Sequence, residues 1–262
     1  MTSFARLLGI ALLTTLMLTV GCQSQENAPA LSTAEKIVER AIVQHGGNVL
    51  DRAVIAFDFR DAHFRIRRDS GRFRYVRTYT DSLDRSVREV LSNDSLYRVV
   101  DGARADLTED DRSDLRAAVN SVVYFALVPY FLKDPAVQLE YGGLDTIQGT
   151  PYNRIRATFQ QAGGGPDWED VFVYWFKQRS ASMDYLAYAY GRGPDEDYGT
   201  RFREAYNVRV VRGVPFADYR NYTTPGDSLR NLARYPVIMA RDSLELVSRI
   251  ELDSIRVQPL ES

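Results

Sequence analysis

The chain has 262 residues, 45% of them hydrophobic, which is enough apolar material for one sizeable core and suits a single domain. Its 33 lysines and arginines against 35 aspartates and glutamates leave a net charge of −2, so no basic excess points to nucleic acid. The single cysteine, Cys22, excludes an intramolecular disulfide and a zinc site built on several thiolates.

The N-terminus reads as an export signal. Arg6 precedes an apolar run over residues 7–18, shorter than the ~20 residues a spanning helix needs. Small residues then lead to Leu18-Thr19-Val20-Gly21-Cys22, an ending that resembles the lipobox of bacterial lipoproteins, with Leu18 one place further from the cysteine than usual. That resemblance implies a signal peptide over 1–21, cleavage before Cys22 and lipid on its thiol. The plainer reading is a secretory signal with an incidental cysteine. Several acyl chains anchor firmly, each buried methylene adding about 0.8 kcal/mol. Gln23 rather than aspartate after the cysteine implies, in the lipoproteins this resembles, sorting to the outer membrane of the cell envelope.

Residues 22–32 form a polar tether carrying Pro29, and 33–262 read as one domain. Ile37, Val38, Ala41 and Ile42 recur at helical spacing in 33–44, with Ser32 or Thr33 as cap and His45-Gly46-Gly47 as stop. His45 in the last turn is read as a partner of the helix dipole rather than a metal ligand. Strands follow. Residues 52–61 put Ile55, Phe57 and Phe59 on one face and Asp58 and Arg60 on the other; 63–68 set Phe64 and Ile66 against Arg65 and Arg67; 72–80 set Phe73 and Tyr75 against Arg72 and Arg74. With 86–91 and 96–100 around the Ser92-Asn93-Asp94 turn, the spacing predicts an antiparallel meander. The four outward arginines suggest a cationic stripe for lipid head groups or glycans, which Asp58, Asp84 and Glu89 on adjoining strands are expected to neutralise in part.

Acidic residues over 101–114 break the pattern, and a helix is expected after them, with Leu115, Val119, Val122 and Val123 on one stripe and Ser113 or a nearby aspartate as cap. The run 122–131, VVYFALVPYF, is either a helix buried on the sheet, kinked or ended by Pro129, or a lid over a cavity or a loop touching lipid. Strands resume at 137–141 and 152–159, with turns at Gly142-Gly143 and Gln148-Gly149, and the loop Gly163-Gly164-Gly165-Pro166 leads into 168–191. That stretch organises the rest. Val171, Val173 and Trp175 point one way and Phe172, Tyr174 and Phe176 the other; on the return, Met183, Tyr185, Ala187 and Ala189 oppose Leu186, Tyr188 and Tyr190. A half-exposed strand alternates apolar with polar residues, whereas both faces here are apolar and each needs a cover or a ligand. Residues 201–211, 216–222 and the closing 244–257 add strands.

No nucleophile elbow, phosphate loop or zinc-helix motif is present. The two histidines, His45 and His63, flank a strand instead of sharing a helix face, and Asp195-Glu196-Asp197 reads as a solvated loop rather than a calcium site. No catalytic residue, metal or cofactor is therefore nominated.

The order of elements, an N-terminal helix, meandering strands, an inserted apolar helix and more strands, resembles the Lol lipoprotein carrier and receptor superfamily of the bacterial envelope. His45-Gly46-Gly47, Phe57-Asp58-Phe59-Arg60, Tyr174-Trp175 with Asp184-Tyr185-Leu186, and Phe202-Arg203-Glu204-Ala205-Tyr206 are similar to an uncharacterised group of envelope lipoproteins. The resemblance implies an α+β fold in which a large, curved antiparallel sheet makes an incomplete barrel, with helices on the concave side and a hollow for acyl chains. It implies a non-catalytic protein held at the membrane by its lipid, taking an apolar or amphipathic ligand: a lipid, an acyl chain or a lipoprotein. Phe57, Phe59, Tyr174, Phe176 and Tyr185 are the residues expected to line the hollow. The alternatives are a glycan-binding surface lipoprotein, stacking Tyr and Trp on sugars, and a hydrolase with an unrecognised carboxylate pair. If Cys22 carries the anchor, Cys22→Ser moves the protein from the membrane to the soluble fraction on cell fractionation.

Overall fold

The computed structural model describes residues 30–163, 168–191, 198–225 and 229–261. From Leu31 onward they form one compact unit. Helix α1 (Thr33–Gln44) starts where the sequence places it. Ser32 Oγ accepts from the Glu35 amide at 3.2 Å and Glu35 accepts from the Ser32 amide at 2.6 Å, a reciprocal capping box. Gly46, at φ +76°, turns the chain into the short α2 (Gly47–Leu50). A Cβ at Gly46 would also sit 2.8 Å from the Val214 side chain, so glycine is required twice over.

Strands β1 (Arg52–Phe59), β2 (Ala62–Asp69), β3 (Arg72–Thr80), β4 (Ser86–Ser92), β5 (Leu96–Val100) and the two-residue β6 (Ala103–Arg104) follow as an antiparallel meander. Ile55, Phe57, Phe64, Ile66 and Tyr75 are buried, while Arg65 and Arg67 face water. The stripe's neutralisers differ from those expected. Glu89 turns inward, 1% exposed, and pairs with Arg77 at 3.2 Å and Arg98 at 2.9 Å; Asp58 pairs with His63 at 2.6 Å; Arg67 pairs with Asp69 at 3.3 Å.

Helix α3 (Glu109–Ala126) begins earlier than the apolar pattern indicates, because Thr108 and Asp111 form a capping box that turns the acidic segment helical. Its buried stripe is Leu115, Val119, Val122 and Val123, as the spacing predicts. The helix stops three residues before Pro129, and a 3-10 turn (Tyr130–Lys133) carries the chain on. That turn is pinned: the Tyr130 hydroxyl donates to Asp51, Lys133 pairs with Asp51 at 2.6 Å, and Arg68 donates to the Tyr130 hydroxyl at 3.1 Å.

A second meander comprises β7 (Val137–Ile147), β8 (Thr150–Phe159), β9 (Val171–Lys177), β10 (Met183–Tyr190), β11 (Gly199–Val211) and β12 (Val214–Thr223). Gly142-Gly143 is a β-bulge inside β7 rather than a turn. Tyr141 and Gly143 pair with the adjacent Ile155 and Arg154, leaving Gly142 as the extra residue, and the Arg154 guanidinium packs where a Gly142 Cβ would be. After a 3-10 turn (Leu232–Arg234) comes a short helix, α4 (Tyr235–Met239). The closing segment is two strands, β13 (Glu245–Ile250) and β14 (Asp253–Pro259).

This break divides the architecture. Two antiparallel sheets of seven strands result, ordered β14-β1-β2-β3-β4-β5-β6 and β13-β12-β11-β10-β9-β8-β7, and neither closes into a barrel. The chain passes between them at Glu251 and Leu252, where Asp218 of β12, 3% exposed, accepts from the Leu252 amide at 3.0 Å, Asn207 Nδ2 at 2.6 Å and Arg209 at 2.8 Å. Both sheets contribute to one core with α1 and α3: Ile55, Phe57 and Phe64 from the first sheet, Ile155, Phe176 and Phe216 from the second. A second core lies on the other face of β8–β11, with Trp175, Tyr185 and Phe202 covered by Leu232 and Tyr235. The doubly apolar hairpin therefore has a cover on each side. Removing the buried carboxylate at the crossover leaves the Leu252 amide, Asn207 and the half-buried Arg209 without their acceptor, so Asp218→Ala is expected to cost about 1–3 kcal/mol in urea unfolding.

Candidate functional site

The shared core is incompletely filled. A chamber of about 450 Å³ lies between Phe125, Phe131 and Leu132 on one side and Phe172, Tyr174 and Leu186 on the other. A second, of about 590 Å³, lies between α3 and the first sheet, bounded by Phe59, Phe64 and Tyr79 and, from the second sheet, by Asn221, Ser248 and Ile250. Ser121, Phe125, Tyr188 and Arg203 border both, so these four side chains stand between the two spaces. Both volumes fall in the ~300–1,000 Å³ range of small-molecule sites.

The partition is built by register. Arg203 of β11 lies directly across from Leu186 of β10 and Asn221 of β12, on the face turned to the shared core. Its guanidinium lies 5.4 Å from the Phe125 ring centre and 5.0 Å from that of Tyr188, and donates to the Tyr188 hydroxyl at 3.1 Å. Phe125 in turn meets Phe59 edge-on at 5.1 Å. Burial pushes the Tyr174 and Tyr219 hydroxyls well above the ordinary phenol range, with Arg203 opposing, so both stay protonated.

The structure brings together part of the expected lining. Phe59 and Tyr174 face the chambers. Phe57 and Phe176 are fully buried in the shared core; Phe57 stacks on Phe64 at 5.5 Å and Phe176 on Tyr174 at 6.1 Å. Tyr185 does not join them. It pairs across the ladder with Trp175, and paired residues share a face, so its ring enters the second core and stacks on Phe202 at 5.6 Å. Met183, by contrast, moves to the shared core, because Asp184 is an extra residue between the Met183–Phe176 and Tyr185–Trp175 pairs. The partition residues Tyr188 and Arg203 were not nominated. Arg203 alternates with Phe202 as a solvent-facing residue does, and nothing local marks its face as the inner one. Cys22 and Asp195-Glu196-Asp197 lie outside the described residues.

The aromatic surface a glycan reader would need is covered at Trp175, 0% exposed, whose indole N–H donates to Asp145 at 2.7 Å. A shallow depression of about 530 Å³ at the β1–β2 turn holds Asp58, Asp61 and His63. Asp58 is held below its usual pKa by the hydrogen bond from His63. Among the described residues no group of three or more His, Cys, Asp or Glu is placed to hold a metal ion.

His45 keeps to the last turn of α1 but as a neutral ring. Burial lowers its pKa, its Nδ1 donates to the Ala41 carbonyl at 2.7 Å, and its Nε2 accepts from the Met183 amide at 3.3 Å. It thereby ties α1 to β10 instead of serving as a charged dipole partner.

A family model described as a family of unknown function (DUF6503) matches residues 9–252. The chain belongs to that family. No curated protein matches the sequence. Among solved structures, the DUF6503 chain is similar to a DUF1329 family protein from Desulfovibrio piger, at 9% identity and a TM-score of 0.50, over 88% of this chain and 96% of that one. At that identity the likeness is one of fold. It is also similar to a LolA superfamily protein from Nitrosomonas europaea, at 10% identity and a TM-score of 0.47, over 88% and 96%. The likeness to the lipoprotein LppX of Mycobacterium tuberculosis is looser, with 14% identity and a TM-score of 0.28 over 60% and 88%.

The buried neutral His45 sets a pH dependence. Its folded pKa is depressed, so the unfolded chain takes up the proton first as the pH falls below about 6.5. The stability it contributes is full above that value and is lost on acidification. The melting temperature should fall between about pH 7 and 5, and His45→Gln should flatten that part of the profile.

Proposed function

We propose that this DUF6503 protein is a lipid-anchored envelope protein that binds an apolar or amphipathic ligand, a lipid, acyl chain or lipoprotein, in the hollow between its sheets, without catalysing a reaction on it. The observation that carries this is the chamber of about 450 Å³ walled by Phe131, Leu132, Phe172, Tyr174 and Leu186. Such a lining gains about 25 cal/mol for each Å² of apolar ligand surface it removes from water. Apolar side chains make up most of that lining, beside Arg116, Asp170 and Arg203, which is why binding is the better reading.

The hollow lies on the face that α3 covers, and α3 supplies Phe125, one of its walls. A ligand entering there replaces water or loosely packed protein against a preformed surface, the arrangement typical of small-molecule sites. The LolA superfamily membership of one similar structure and the lipoprotein status of another are in keeping with a place in the envelope. The anchor at Cys22 and the outer membrane as its destination belong to this proposal.

Native mass spectrometry of the full chain, purified without detergent, tests it. A co-purifying or exchangeable lipid is the expected result. Ala117 is an exposed α3 residue on the rim of the chamber, so Ala117→Trp adds an indole without disturbing the buried stripe. Ala117→Trp should reduce the bound lipid severalfold while the melting temperature stays within a few degrees.

A further inference from the structure

Two carboxylates in this fold are taken deep from water, and both are matched by guanidiniums. Glu89 sits between Arg77 and Arg98, and Asp218 holds Arg209. Arg68 and Arg203 are not matched in this way: each has a buried, unpartnered Nε and donates to tyrosine hydroxyls, and of the two it is the half-buried Arg203 that borders the chambers. Its one hydrogen bond is to the neutral Tyr188 hydroxyl, its Nε is buried with no acceptor, and no carboxylate among the described residues pairs with it. Its surroundings are Phe125 from α3, Tyr174 and Tyr188 from the hairpin, and Tyr219 and Asn221 from β12. The raised phenol groups of Tyr174 and Tyr219 carry no negative charge to offer it. A guanidinium held away from water is costly until an anion reaches it.

A second unsatisfied group adjoins the first. Asn221, 8% exposed, lies across the ladder from Arg203. Its Nδ2 donates to Ser248 Oγ at 3.2 Å, while its Oδ1 is buried and unpartnered. Both residues, with Ser248, border the larger chamber of about 590 Å³. Arg60 and Asp61 of the β1–β2 turn border it too, one charge of each sign, and Arg77 there is already paired with Glu89. On the far side of Phe125 the smaller chamber is lined mostly by aromatic and aliphatic residues, with Arg116, Asn120 and Asp170 among them. The hollow is thus more apolar beyond Phe125 than around Arg203 and Asn221.

We infer that the ligand is an acidic amphiphile, whose carboxylate or phosphate head group seats on the Arg203 guanidinium in the larger chamber and whose acyl chain runs past Phe125 into the smaller one. This rests on the proposed binding function and gives it a ligand class. The planar fork of an arginine matches either anion through two parallel N–H donors, and Nε is one of the five donors available for that. Arg203 selects the head group, and the aromatic chamber takes up the chain.

The test is displacement of an uncharged fluorescent reporter, methyl cis-parinarate, from the delipidated full chain by oleate, oleyl phosphate and oleyl alcohol. At least one of the two acids should displace it at about tenfold lower concentration than the alcohol, and which acid does so separates carboxylate from phosphate. Arg203→Met should abolish that advantage, so that acids and alcohol displace the reporter at one concentration, whereas Arg203→Lys, which keeps the charge and loses the fork, should keep part of it. Equal displacement by all three compounds overturns the inference and leaves the binding function standing, as does an advantage that survives in Arg203→Met. The comparison of acid with alcohol on the unmutated chain needs no variant to fold. Failure of the reporter itself to bind overturns the proposed function and this inference with it.

Discussion

The hairpin of β9 and β10 must remove both of its faces from water, and the rest of the structure answers that demand. On one side Leu232 and Tyr235 close over Trp175, Tyr185 and Phe202, and packing is dense: Tyr235 stacks on Phe202 at 5.2 Å and Trp175 meets Phe202 edge-on at 5.9 Å. On the other side the cover is a helix whose main stripe is aimed elsewhere. Leu115, Val119, Val122 and Val123 are the buried residues of α3, which packs against β3, β4 and β5 of the first sheet. Another side of α3, with Asn120, Ser121 and Phe125, and the 3-10 turn after it face the hairpin across the smaller chamber. The hollow is the space that this division of labour leaves.

The segment after α3 holds its position by polar contacts rather than by further apolar packing alone. Asp51, Arg68, Tyr130 and Lys133 form one network, and Arg68 also lies 4.5 Å from the Tyr130 ring centre and 5.1 Å from that of Phe131. Desolvation and its opposing hydrogen bonds leave Asp51 below its usual pKa, so it stays a carboxylate for both its partners. This fixes the wall of the smaller chamber from behind, outside the space a ligand would enter. The same logic of a buried charge with matched partners recurs at Glu89 and Asp218, whereas no carboxylate among the described residues pairs with Arg203 between the two chambers.

Much of the local structure was legible because period and capping are local properties. The helix over Thr33–Gln44, the inward set Ile55, Phe57, Phe64 and Ile66, the α3 stripe and the two-faced hairpin all follow from alternation or from 3.6-residue spacing. The departures occur where one residue changes the outcome. A capping box at Thr108 turned an acidic stretch helical, Gly142 became a bulge rather than a turn, and the extra residue Asp184 sent Met183 and Tyr185 to opposite faces. Bulges are invisible to periodicity because they shift its phase without altering composition.

By itself the sequence determined the succession of strands and helices, the inward set of most of them, and the requirement for two covers on the hairpin, since these depend on which residues lie two, three or four places apart. Only the tertiary structure decided that the last strands part into two sheets at Glu251 and Leu252, that Tyr185 and Tyr174 belong to different cores, and that Arg203 faces inward. Those are questions of which strand lies beside which, and of what covers each face. In a strand whose two sides are both buried, alternation names two faces without saying which one encloses the empty space.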